Sequence, residues 1–157
     1  MKQFYDIATL IKEQKNFNHV LATYKKVVVS EIAYRGMDIS MKDVLEDTIA
    51  AATVIGSRGK VGKEDYPVYV EGIRAVGTHI FAERFFGEIA SYQAADLIYM
   101  AACLMAEKPY EKIDGFEGYI NESLTQSDLK VLTKMRKAQP IQYAYLVKAD
   151  RLLGKCR

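Results

Sequence analysis

Residues 56–67, "GSRGKVGKEDYP", put three glycines and three cations into twelve positions. Glycine-rich cationic loops can cradle phosphate, and a nucleotide P-loop reads G-x-x-x-x-G-K-[ST] between a strand and a helix. Gly56 and Gly62 are separated by five residues, one too many. Glu64 follows Lys63 where a magnesium-binding hydroxyl belongs, and an alanine-rich helical pattern precedes the loop where a strand belongs. A nucleotide cradle is therefore excluded. Arg58, Lys60 and Lys63 remain candidates for contact with a phosphate or an acidic partner surface.

The second basic set lies at the C-terminal end. From residue 130 onward there are eight cations against one acid, Asp150, while the whole chain carries only +2. Lys134, Arg136, Lys137, Lys148 and Arg151 alternate with Tyr143 and Tyr145. Nucleic-acid binders combine cations for phosphates with aromatic rings for bases, so this segment and the 56–63 loop are candidate nucleic-acid contacts. "LTQSDLKVL" resembles only the first part of a helix-turn-helix, and no later helix is left to enter a groove.

Acid–base and metal chemistry have less to draw on. His79 and Glu83 stand at i, i+4, and Asp96 sits inside an apolar block with Gln93 one turn before it. A buried Asp costs several kcal/mol unless it is paired, and Arg74 or Arg84 is the expected partner. These three residues are candidate buried polar groups. The stretch "DVLED" offers a single DxxE, Asp43 with Glu46. A magnesium-dependent all-α nucleotide hydrolase would need Glu46, Asp47 and Asp96 to converge in one pocket. There is no HExxH, no ExxH pair, no Gly-x-Ser-x-Gly and no CxxC. Cys103 lies in an apolar run where thiols are inert. No catalytic residue, metal site or cofactor is expected.

These residues must be positioned by helices. Phe4, Ile7 and Ile11 form one helical stripe, and Phe17, Val20, Leu21, Tyr24, Val27 and Val28 form another. Asn16 is a plausible cap between them. Ser40 with Asp43 resembles a capping box and opens a helix that Gly56 is expected to close, since glycine readily takes the left-handed conformation. Asp65 and Pro67 start the next helix, striped by Tyr69, Ile73, Val76 and Ile80. Gly72 and Gly77 inside it call for close packing. The run "AADLIYMAACLMA" is too short to span a membrane and contains Asp96, so it reads as a buried core helix. "TQSD" is expected to cap a helix over 126–137, and Pro140 and Gly154 bound the last one.

The expected fold is an all-α, single-domain helical bundle of five to seven helices over residues 1–157. Ordinary composition and 50% apolar residues fit a packed core. The first residues lack the apolar core of a signal peptide, and the two unpaired cysteines suit a reducing compartment, so a cytoplasmic protein without membrane contact is expected. The functional expectation is a non-enzymatic interaction or regulatory protein that binds a protein partner or a second copy of itself. Eleven tyrosines favour this. Nucleic-acid binding and the magnesium hydrolase are the alternatives.

Overall fold

The structure is a computed structural model and describes residues 1–80 and 84–156. The described residues contain no strand. They form helices α1 (Lys2–Glu13), α2 (Phe17–Arg35), α3 (Met41–Ser57), α4 (Tyr66–Gly77), α5 (Gly87–Ala106), a 3₁₀ turn (Lys130–Lys134), α6 (Met135–Ala138) and α7 (Pro140–Cys156). The chain is an all-α helical bundle.

Helix α5 is its axis. Thirteen of its twenty residues are buried, including Ala94, Ala95, Ile98, Ala102 and Cys103, none of which has more than a trace of exposed surface. The small alanines let α3 and α7 approach on two sides while α1 closes a third with Ala8 and Ile11. By length and composition α5 could cross a membrane, but most of its apolar window is covered by these neighbours.

Local capping places the helix starts. Asn16 accepts a hydrogen bond from the His19 backbone N–H. Ser40 and Asp43 form the reciprocal capping box, satisfying two donors that the helix leaves open. Asp65 and Pro67 sit at the start of α4.

Five expectations are corrected. Gly56 does not end α3. The helix runs to Ser57, and Arg58 takes the left-handed conformation at φ 56°. Gly56 is instead buried where α3 crosses its neighbours. A Cβ there would lie 3.2 Å from Leu132 Cδ2, 3.4 Å from Ala94 Cβ and 3.5 Å from Met135 Cε, and the Gly56 carbonyl accepts from Ser91 Oγ at 2.7 Å. Close approach, not capping, uses this glycine. In α1 the buried residues are Ala8 and Ile11, with Phe4 partly buried beside them, while Ile7 is 47% exposed. Helix α4 stops at Gly77, where the Phe85 carbonyl packs so closely that a Cβ would meet it at 2.6 Å. Residues 126–137 form a turn, a 3₁₀ turn and one turn of α-helix, not one capped helix. Their start is held from a distance. The buried Asp150 carboxylate accepts from the Thr125 and Gln126 backbone N–H groups and from Thr125 Oγ1. The chain passes straight through Gly154, and α7 ends at Cys156.

Candidate functional site

Four of the expected basic residues are sorted by what they touch. Arg136 belongs to the interior. Its Nη2 donates to the Glu122 carbonyl at 2.6 Å and to Tyr143 Oη at 2.8 Å, and its guanidinium lies 5.0 Å from the Tyr143 ring centroid. Lys148 is only 16% exposed, pairs with Glu111 at 2.5 Å and lies over the Tyr99 ring. Arg151 pairs with Glu122 and lies over Tyr119. These three cations hold the 110–122 loop onto α7. Lys137 is exposed and makes no ion pair among the described residues.

Lys134 is different. The α3 end abuts the 3₁₀ turn through Gly56, Leu132 and Met135, which carries Arg58 and Lys60 to the same place as Lys134. Partial burial pushes the Lys134 ammonium below its ordinary range, and the charges of Lys60 and Arg58 push it further. Two separate basic stretches of the sequence thus share one face. None of the three has a carboxylate partner among the described residues. Lys63 is exposed farther along the same loop.

Aromatic rings border this face. Gly59, at φ 73°, lies against Tyr66; a Cβ there would sit 2.6 Å from the ring. Tyr66 Oη is 4.0 Å from the Cβ position of Gly87, the first residue of α5. Phe86, just before it, is 46% exposed. One turn into α5, Tyr92 donates to Glu88 and is within reach of the Arg58 charge and of Gln139. The hydrogen bond to Glu88 raises the Tyr92 phenol above its usual range.

The second surface is α2. Its nineteen residues bury only Phe17 and Val28. Val27, Val29 and Tyr34 are 53%, 57% and 88% exposed, and Met37 and Ile39 continue the apolar exposure into the connector. Two grooves run along α3 and meet at Met105, the smaller of them beside α2. One is about 280 Å³, between Leu21, Tyr24 and Leu45. The other is about 640 Å³, with Ile49, Thr53 and Leu153 on its floor and Glu46, Asp47 and Asp128 lining it.

The buried polar candidates separate. Asp96 is 5% exposed, and no hydrogen bond reaches its carboxylate among the described residues. Burial pushes its pKa up to about 6, opposed by Lys12. Lys12 at the end of α1, and not Arg74 or Arg84, is therefore the cation it feels. Gln93 Oε1, one turn away, is also unpartnered. His79 is exposed in the turn after α4, with Nδ1 near the Ala75 carbonyl and Thr78 Oγ1; it is not a buried group, because the helix meant to carry it inward has already ended. Glu83 lies outside the described residues. Asp96 does not line the groove that holds Glu46 and Asp47, and among the described residues no group of three or more His, Cys, Asp or Glu side chains is placed to hold a metal ion. Burial pushes the Cys103 thiol up to about 12, which makes its thiolate inaccessible at neutral pH.

No family model matches the chain, and no curated protein or solved structure is significantly similar to it.

Proposed function

We propose that the protein is a non-enzymatic association module that works through α2, and that the partner its surfaces fit best is a second copy of the chain. The observation that carries this is the dressing of α2. Its apolar side chains, Val20, Leu21, Tyr24, Val27, Val28, Val29 and Ile32 among them, are spread around the axis. A helix whose apolar side chains spread beyond one stripe needs cover on more than one side, and here the chain covers one. Large exposed apolar surface marks a contact site.

A second copy is favoured by complementarity. On α2, Lys25 is paired with Glu107 and Arg35 with Glu31, which leaves Lys26 as exposed positive charge, and the larger α3 groove carries Asp47 together with Glu46, whose partner is Lys42. A helix laid into an apolar groove is a standard recognition mode, and a two-fold pair would satisfy both copies at once. Met41 and Met105, at the walls, are flexible enough to mould to an incoming side chain.

The test is a photo-crosslinker replacing Tyr34, a position whose 88% exposure leaves the fold untouched. Illumination should give a covalent dimer, with the crosslinked peptide mapping to α2 or α3. A chain that stays monomeric on illumination at high protein concentration would refute the reading.

A further inference from the structure

We propose that the surface made by Arg58, Lys60 and Lys134 with the rings of Tyr66, Phe86 and Tyr92 binds single-stranded nucleic acid. The cations would take backbone phosphates and the rings would stack on bases. This surface is separate from α2 and does not depend on the association reading.

The argument begins with charge. Three cations are brought together from two elements by the crossing at Gly56, and none of them makes an ion pair among the described residues, the Glu88 carboxylate at the same end of α5 being held by Tyr92. Like charges held together without counter-charge disfavour the folded state, and an anion relieves that repulsion. Gly56, two residues before Arg58, packs on Leu132 and Met135, which flank Lys134, and this contact brings the three cations to one face. Backbone conformation adds a second point. Arg58 occupies the left-handed position that normally favours glycine, so a long cationic side chain stands where the helix end would be easier to form without one. The aromatic set then selects among anions. Phe86 is 46% exposed and has no evident packing reason to be so, and Tyr66 and Tyr92 flank the same end of α5. A phosphopeptide or a lipid headgroup would use the cations and leave the rings idle. A duplex hides the faces of its bases. Unpaired bases offer faces to rings and phosphates to cations, and every base can stack.

Fluorescence anisotropy with labelled oligo-dT and oligo-U of about a dozen nucleotides tests the assignment. Binding should weaken about 20-fold between about 50 and 200 mM salt, the dependence for about three phosphate contacts on a single strand. Arg58→Gly combined with Lys60→Ala and Lys134→Ala should weaken binding at least ~10-fold and flatten the salt dependence. Because glycine accepts the left-handed conformation, this variant keeps the helix end intact, and an unchanged melting temperature would confirm it. Phe86→Ala should weaken binding about 10-fold with the salt dependence unchanged, the signature of lost stacking. Variants on α2 should bind as the parent does. Failure to bind either oligomer at low salt would overturn the proposal. So would full binding by the triple variant, or equal affinity for a duplex or heparin with no effect of Phe86→Ala.

Discussion

Among the described residues α5 and α2 are the two longest helices, at twenty and nineteen residues, and in both the apolar side chains spread beyond a single stripe. Yet α5 buries thirteen residues and α2 buries two. The difference lies in the neighbours. Ala90, Ala94, Ala95, Ala101 and Ala102 give α5 a thin profile, so α3 and α7 come close. The β-branched run at 27–29 makes α2 thick and stiff, and little of the chain packs on it. The outcome therefore differs: in α5 the apolar side chains form the core, and in α2 many of them remain exposed.

Paired truncations sharpen the contrast most. Ile98→Ala in α5 empties a fully buried site and should cost about 2–5 kcal/mol in urea unfolding, the range for a large-to-small change in a packed core. Val29→Ala in α2 should cost under about 0.5 kcal/mol, as exposed substitutions do. Equal losses at both positions would break the comparison.

A polar substitution should do the reverse in the core. Asp96 has a raised pKa when folded, so its ionised form disfavours the fold. That penalty is fully present above about pH 6, shrinks as pH falls toward the ordinary carboxyl value and vanishes below it. Asp96→Asn should therefore stabilise the protein by up to about 3 kcal/mol near pH 7.5, the free energy of a shift of about two pH units. The gap between the parent and Asp96→Asn should narrow as pH falls to about 4.5. A gap that does not change with pH would mean that Asp96 is neutral or well solvated in the fold.

What the sequence disclosed was local. Asn16 capping α2 and the Ser40–Asp43 box need only three or four consecutive residues, and both are present. The apolar block of α5 announces its own burial. What the sequence concealed depends on distant partners. Gly56 looks like a helix stop until Leu132 and Ala94 arrive beside it. The C-terminal cations look alike in a charge count, but Arg136, Lys148 and Arg151 are engaged by Glu122, Tyr143 and Glu111, while Lys134 is set beside Arg58. Asp150, visible only as the lone acid in a basic segment, turns out to cap residues 125 and 126 from α7. The exposure of Phe86 beside the start of α5 had no signal in the sequence beyond its place before a glycine. The exposure of α2 was also hidden, because a helix with a broad apolar face reads as core until one asks what covers it.

The most direct test of the central claim is sedimentation equilibrium of the intact protein beside a variant carrying Val27→Ser, Val29→Ser and Tyr34→Ser. The account predicts a parent that sediments as a dimer at micromolar concentration and a variant that sediments as a folded monomer with nearly the same melting temperature. A parent that remains monomeric, or a variant that dimerises as tightly as the parent, would contradict it.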